Sequence, residues 1–177
     1  MSAKSGEVHL SGGNVDKDLV DRLIEDWARE RPELDARAMS GVGRIMRVGH
    51  MLGLRINRLI KPFRITYTDL DLLATLRRSG EPFTLTPEQL RQSVLLTSGA
   101  MTAAIDRLEK KGHIKRRQDS KDRRVRRISL SAQGRALIDE VIELRFKEAE
   151  DALSALTQSE RERLYGLLRK LAGSLGS

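Results

Sequence analysis

Eleven lysines and arginines of this chain fall within 21 residues, between Arg107 and Arg127, with only three carboxylates among them. This segment carries a formal charge of +8, which equals the net charge of the whole chain. The positive and negative charges of the remaining residues therefore cancel. A charge confined in this way indicates a partner surface, because solubility needs only a scattered excess of one sign. The chemistry of such a surface is polyanion binding, and duplex DNA, which offers a groove, is the evident candidate.

The residues around this charge predict a helix followed by a two-stranded hairpin. The helix is expected to begin at Thr97 or Ser98, either of which can cap it, and Gly112 should close it. Apolar and basic residues alternate over 113–117 and 125–130, which predicts two strands joined by the polar loop DSKDRR. With a short helix predicted just upstream, this order is that of a winged helix-turn-helix.

The outward face of this helix holds candidate DNA contacts. Ser98 and Thr102 can donate hydrogen bonds to phosphates or base edges, and Arg107 can reach guanine or phosphate. Ala103 and Ala104 offer only methyl contacts, such as one to a thymine. Because the helix is poor in bidentate readers, we expect specificity to depend on DNA shape and half-site spacing. The positions expected to face outward are Gly99, Thr102, Ala103, Asp106, Arg107 and Lys110.

The hairpin holds the other candidate DNA contacts. Basic side chains at a hairpin tip can enter a minor groove. The residues expected at or near the tip are Lys121, Arg123 and Arg124, and Arg117 in the first strand belongs to the same basic surface. Arg124 is also the candidate for a different role, an ion pair with Asp106 or Asp122 that braces the hairpin.

The composition excludes several classes of protein. There is no cysteine, so disulfides and thiolate metal sites are absent, and the three histidines lie far apart, so no metal or cofactor is expected. The sequence contains no nucleophile with a candidate base and no nucleotide-binding fingerprint, which predicts a protein without enzymatic activity. Aromatic residues make up only 3% of the chain, so stacking platforms for single strands are scarce and duplex grooves are favoured.

The chain shows no sign of a membrane segment. No apolar run approaches the roughly 18–20 residues of a membrane span. The first 13 residues lack the apolar centre of a secretory signal. We therefore expect a cytoplasmic protein with no membrane partner.

The other predicted elements are helices, so the expected fold class is mainly α (α+β): a winged helix-turn-helix with flanking N- and C-terminal dimerisation helices. Four regions are expected: a flexible tail at 1–13, N-terminal helices for dimerisation and a ligand pocket at 14–62, the DNA-binding domain at 63–131, and C-terminal dimerisation helices at 132–177. The terminal helices have apolar stripes that a lone reader domain leaves uncovered, and a symmetric dimer would bury them.

Caps and prolines delimit these helices. Pro32 is expected to end the first helix, and the second is expected over 33–61. The predicted N-caps are Asn14, Thr68, Thr86, Ser131 and Thr157. The second helix has a row of glycines, each costing about 1 kcal/mol relative to alanine, which predicts a closely approaching helix, a ligand cavity or a kink. The row consists of Gly41, Gly49 and Gly53.

With this order established, residues 34–173 resemble the MarR family of transcriptional regulators. The resemblance is carried by SGAMTAAIDRLEKKGHIKRR, by DSKDRRVRRISLSAQGRAL and by the final LTQSERERLYGLLRKL. It implies a homodimer with one winged helix-turn-helix in each subunit. It also implies binding to pseudopalindromic operators in double-stranded DNA, and release by a small, often aromatic or anionic, ligand such as urate or a phenolic acid.

Within this family the chain is similar to the urate-responsive branch, which has an extra N-terminal helix with a tryptophan. The resemblance implies a ligand site at Trp27, Asp71 and Arg78. The branch also has an arginine in the recognition helix, where this chain has Ala104. Each residue has an ordinary alternative: core or dimer packing for the tryptophan, a capping box with Thr68 for the aspartate, and the C-terminal helix dipole for the arginine.

The sequence thus predicts a dimeric DNA-binding regulator, most simply a repressor released by a ligand. A regulator controlled only by its own abundance and a non-specific architectural DNA binder are the alternatives, and a helical enzyme using the Trp27 cavity is a remote one. A regulator should prefer its own site over random duplex by about 10³-fold or more.

Overall fold

Seven helices and three strands run through residues 17–94, 98–118 and 126–175, which are the residues that the computed structural model describes. The chain divides into two compact units, Met1–Met51 and Leu52–Ser177, and their boundary falls within α2. The elements are α1 (Leu19–Glu30), α2 (Arg37–Ile60), a 3-10 helix (Lys61–Phe63), α3 (Tyr67–Arg78), β1 (Thr84–Leu85), α4 (Pro87–Ser93), α5 (Ser98–Lys110), β2 (Ile114–Gln118), β3 (Arg126–Leu130), α6 (Ala132–Ala152) and α7 (Gln158–Leu175).

The second unit contains the winged helix-turn-helix, built around one apolar core. Its antiparallel sheet has the order β1-β3-β2, with Ile114 opposite Leu130 and Arg117 opposite Arg127. Because side chains alternate along a strand, Ile114 and Ile128 are buried while Arg117 and Arg127 are exposed. The other fully buried apolar side chains include Leu72, Leu73, Leu76, Leu90, Leu108, Ile138 and Val141.

The start of α6 packs directly against the hairpin. The Ser131 hydroxyl caps α6 by accepting from the Gly134 N–H at 2.9 Å, and it donates to the Gly112 carbonyl at 2.6 Å. A Cβ on Gly134 would lie 1.9 Å from the His113 carbonyl oxygen, so only glycine permits this approach. The wing is therefore fixed to the helix that follows it.

The first unit contains a hairpin of α1 and the N-terminal part of α2. Its two helices come close at Gly43, where an added Cβ would lie 3.2 Å from a Val20 methyl group. The Arg44 guanidinium joins them as well, at 3.1 Å from Asp18 and 2.6 Å from Asp21. Within the described residues of this unit, Val20 is the one buried side chain.

Two predicted helix starts are wrong by several residues. α1 is capped by Asp18, whose carboxylate accepts from two backbone N–H groups, and not by Asn14, which lies outside the described residues. α2 begins at Arg37 and not at 33, because turns occupy the intervening residues and the Asp35 carboxylate accepts from the Arg37 N–H.

The cap of α3 is also different from the prediction. Thr66 and Asp69 form the capping box, with reciprocal hydrogen bonds of 2.9 and 3.2 Å, in place of Thr68 and Asp71. Both pairs fit the Thr-x-x-Asp pattern, so the sequence alone does not separate them. The backbone conformation determines which pair caps the helix. Arg64 ends the 3-10 helix in the left-handed region, and Thr66 is then extended, as an N-cap residue must be.

Other predictions are confirmed. The winged helix-turn-helix is present, the caps at Thr86, Ser131 and Thr157 hold, and the hairpin strands agree to within one residue. The sequence does not predict β1, because a two-residue strand is formed only by pairing with β3. The predicted tail at 1–13 and the loop DSKDRR at 119–124 lie outside the described residues, and the four-region division stays a prediction.

Several helices leave large apolar side chains exposed. On α7 these are Tyr165, Leu167, Leu168, Leu171 and Leu175, and no residue of that helix is buried. On α2, the glycine row at 41, 49 and 53 has no atom within 4 Å of an added Cβ. None of the helices in the described ranges combines the length and apolarity that a membrane crossing requires.

Candidate nucleic-acid interface and ligand cavity

The predicted outward face of the recognition helix α5 is exposed. Gly99, Thr102, Ala103 and Asp106 are all accessible, and no atom lies within 4 Å of a Cβ built on Gly99. Ser98 begins the helix, but its side chain lies outside the described residues. An exposed face with small side chains lets a helix approach a major groove closely, and the contacts themselves stay predictions.

Ala104 does not lie on that face. Its side chain is fully buried, together with Met101, Ile105 and Leu108, in the core that α5 shares with α3. The predicted methyl contact of Ala104 with a thymine is therefore wrong, because Ala104 lies on the same side of α5 as the buried apolar side chains.

Arg107 forms an ion pair within its own chain. Its Nε lies 3.0 and 3.1 Å from the two carboxylate oxygens of Asp69, and a terminal nitrogen lies 2.7 Å from one of them and 3.2 Å from the Thr66 hydroxyl. Burial alone would raise the pKa of Asp69, but hydrogen bonds from Arg107 and from the Thr66 N–H lower it overall. The predicted DNA contact of Arg107 stays a prediction, and its intramolecular role is a feature that sequence reasoning missed.

The hairpin is braced to the recognition helix by Arg116. Its guanidinium forms an ion pair with Asp106 and lies 3.3 Å from a carboxylate oxygen of Glu109, both on α5. The sequence suggests Arg124 for a brace to Asp106, but Arg124 lies outside the described residues. The alternation of the strand could have suggested Arg116, since it lies on the same side of β2 as the buried Ile114.

Two other hairpin arginines, Arg117 and Arg126, lack such a brace within the described residues. Arg117 and Arg126 are exposed, and within the described parts of the chain no carboxylate pairs with either. Together with Arg116 and Gln118 they line a polar groove of about 180 Å³. Cations concentrated on one hairpin repel each other unless a polyanion neutralises them. Of the predicted hairpin contacts, Lys121, Arg123 and Arg124 lie outside the described residues.

A separate apolar cavity of about 500 Å³ lies in the first unit. Trp27 lines it and is 55% exposed, so this side chain is not core packing within the described chain. Two charged residues also line it, Asp35 and Arg47. The hydrogen bonds from Arg37 lower the pKa of Asp35 to about 2, whereas no ion pair joins Arg47 to any described residue. The cavity thus offers an indole and a cation.

The other two predicted ligand residues lie in the second unit. Asp71 is partly buried on α3, and Arg78 at the end of α3 donates a 2.5 Å hydrogen bond to the Ser93 carbonyl of α4. Arg78 thus ties α3 to the end of the helix that precedes α5. The joint ligand site of Trp27, Asp71 and Arg78 stays a prediction, and Arg47 is a lining residue that the sequence did not suggest.

Comparisons with known proteins agree with this geometry. The MarR family model matches residues 65–125. The transcriptional regulator PecS of Dickeya dadantii is 31% identical over 152 residues, which cover 86% of this chain and 92% of that protein.

Two solved structures share the fold at lower identity. RdhR, an organohalide-sensing regulator in its 2,4-dichlorophenol-bound form, has a TM-score of 0.71 at 22% identity and covers 80% of this chain and 82% of its own. A MarR variant from E. coli complexed with operator DNA has a TM-score of 0.66 at 23% identity, covering 82% and 96%. These relatives are transcriptional regulators and not enzymes. The chain belongs to the MarR family of DNA-binding transcriptional regulators.

Proposed function

We propose that this protein is a homodimeric repressor that binds a pseudopalindromic operator and is released from it by a small aromatic anion. The observation that carries the proposal is the pair of unbraced arginines, Arg117 and Arg126, beside the exposed face of α5. A recognition helix with small outward side chains can enter a major groove while the hairpin cations neutralise flanking phosphates. The MarR variant of E. coli has been solved with operator DNA, which supports this assignment.

The dimer is supported by the apolar side chains that the chain leaves in contact with solvent. An 18-residue helix, α7, buries none of its residues, and five of its large apolar side chains are at least 38% exposed. Exposed apolar side chains this numerous on one helix are typical of an association surface. A second copy of the chain is the occupant that also supplies the second recognition helix for a pseudopalindromic site.

The ligand class is supported by the cavity in the first unit. Its apolar wall suits an aromatic ring, the indole of Trp27 can stack on that ring, and the guanidinium of Arg47 can pair with an anionic group. RdhR, which shares the fold, was solved with a phenolic ligand. Since α2 runs from this unit into the second unit, a ligand that changes the start of α2 acts on the helix that leads to the DNA-binding domain.

The experiment is binding to the DNA that flanks the protein's own gene, in the presence and absence of urate, salicylate and other small aromatic acids. The proposal expects a preference over random duplex of about 10³-fold or more, and release by at least one of the acids. Equal affinity for random duplex would instead indicate an architectural DNA binder. A preferred site that no acid releases would indicate a regulator controlled by its abundance.

The arginine of the cavity gives a matched test. Arg47→Ala should abolish release by the active acid while operator affinity stays close to wild type, because Arg47 lies in the unit that lacks the recognition helix. Arg78→Ala is the comparison variant for the site that the family resemblance predicted. Loss of release in Arg78→Ala but not in Arg47→Ala would move the ligand site to the second unit.

A further inference from the structure

We propose that Arg107 is a positioning residue for DNA recognition: together with Lys111 it clamps α5 onto the corner that joins α2 to α3. This inference rests on the proposed DNA-binding function, and it assigns to Arg107 a role other than contact with a base or phosphate. The clamp consists of two cations one helical turn apart and three acceptors on the corner, the Arg64 carbonyl, the Thr66 hydroxyl and the Asp69 carboxylate.

The first half of the clamp is a bidentate ion pair. Two nitrogens of Arg107 lie between 2.7 and 3.1 Å from the two oxygens of Asp69, and pairs with two parallel contacts are directional as well as strong. The side chain of Asp69 is fully buried, whereas that of Arg107 is 35% exposed. A buried carboxylate that loses its cation is left uncompensated, so Asp69 strongly favours retention of this contact.

The second half of the clamp lies at the residue that follows α5. The Lys111 ammonium donates to the Arg64 carbonyl at 2.6 Å. The Lys111 N–H donates to the Arg107 carbonyl and continues the last turn of α5, so the two cations hold the C-terminal end of this helix from one side. Arg116 and its carboxylate partners hold the hairpin to the same helix through other residues.

The corner that these cations contact is held by hydrogen bonds and buried side chains of its own. Arg64 has a φ of 54°, in the left-handed region, and its N–H donates to the Lys61 carbonyl. Asp69 also accepts from the Thr66 N–H, so the acceptor for Arg107 is fixed by the capping box of α3. The end of α2 is anchored next to it, since Ile56 and Ile60 are buried in the same core. The clamp therefore relates the direction of α5 to the end of α2.

A clamp of this kind affects operator affinity by fixing the position of α5. A recognition helix must be held to within about half an ångström to place its side chains on base edges. If Arg107 only orients α5, its removal weakens recognition without removing a phosphate contact. If it touches a phosphate, its removal also lowers the dependence of binding on salt, by about 0.9 in log–log slope per contact.

The experiment compares operator binding and its salt dependence for the full-length wild type, Arg107→Ala, Asp69→Asn, their combination, and Arg117→Ala as the matched control. Each substitution occurs twice in a dimer, so Arg117→Ala should lower the slope by about 1.8. We expect Arg107→Ala and Asp69→Asn each to lower operator affinity by about tenfold with an unchanged slope, and the combination to be no worse than either.

The decisive variant is Asp69→Asn, because its buried side chain cannot reach DNA. Wild-type affinity in Asp69→Asn, together with a lowered slope in Arg107→Ala, would overturn the clamp. If either variant fails to fold, Arg107→Lys replaces them: it keeps the charge but not the bidentate geometry, so the clamp expects weaker binding at an unchanged slope. Wild-type affinity in Arg107→Lys would overturn it. A wild-type chain that binds no duplex would overturn the proposed function itself.

Discussion

α3 and α7 both have apolar side chains at helical spacing, but they bury them in different ways. On α3, Leu70, Leu72, Leu73 and Leu76 are at most 4% exposed and lie in the core of the second unit. On α7, no residue is buried. The difference teaches that the winged helix-turn-helix contains its own core, whereas none of the described residues covers the apolar side chains of α7.

The same contrast applies to charge. Arg107 and Arg116 lie in the basic segment but are held by carboxylates, whereas Arg117 and Arg126 are not held by any described carboxylate. The first two arginines hold α5 in place, whereas the second two are the candidates for phosphate contacts. Four predictions test these contrasts.

The largest effect is expected on α7. Leu168→Glu combined with Leu171→Glu should convert a species of twice 19.9 kDa into one of 19.9 kDa, because charges cannot be buried in an apolar interface. Loss of the second half-site should lower operator affinity by about 100-fold or more. Sedimentation and operator titration measure these changes, with Ser159→Glu on the same helix as the control. A wild-type monomer that binds its operator fully would contradict the expected dimer.

The next effect is expected in the core of the second unit. Leu73→Ala should lower the free energy of unfolding by about 2–5 kcal/mol, because the side chain is completely buried and leaves a cavity. Leu73→Met, which conserves volume, should cost less than about 1.5 kcal/mol. Urea unfolding measures both. A loss below about 1 kcal/mol in Leu73→Ala would be smaller than core truncations usually cause. It would mean that this core is not the main source of the stability of the unit.

A smaller effect is expected on the hairpin. Arg117→Gln with Arg126→Gln should weaken binding to every duplex and lower the salt slope by about 3.6, for four phosphate contacts in a dimer. Arg169→Gln, on exposed α7, is the control for the loss of a surface arginine and should leave the slope unchanged. An unchanged slope in the double variant would mean that β2 and β3 do not face the phosphates.

The smallest effect compares two helix caps. Ser131→Ala should lower the free energy of unfolding by about 1–2 kcal/mol, because its nearly buried hydroxyl joins α6 to the turn before β2, accepting from the Gly134 N–H and donating to the Gly112 carbonyl. Thr157→Ala, at the exposed cap of α7, should cost about 0.5 kcal/mol. Thermal or urea unfolding measures the two losses. Equal losses at both caps would mean that the hydrogen bond from Ser131 to the residues before β2 adds no stability.

The sequence alone was sufficient for the fold class, the order of the reader elements and the caps at Thr86, Ser131 and Thr157. These follow from local patterns: apolar spacing, a Thr-x-x-Glu or Thr-x-x-Gln box, and alternation in a hairpin. Local patterns fail where two registers fit equally well, as at Thr66 and Thr68. They also fail where an element depends on a distant partner, as β1 does on β3.

Charge confinement between Arg107 and Arg127 was also determined by the sequence, and by itself it indicates a polyanionic partner. What only the tertiary structure decided is which cations are available to that partner. Arg107 meets Asp69 across 38 residues of sequence, and Arg116 meets Asp106 across ten. No spacing rule relates such positions, because the fold of the chain brings them together. The physical reason is that an ion pair depends on distance in space, whereas composition records only that the charges are present.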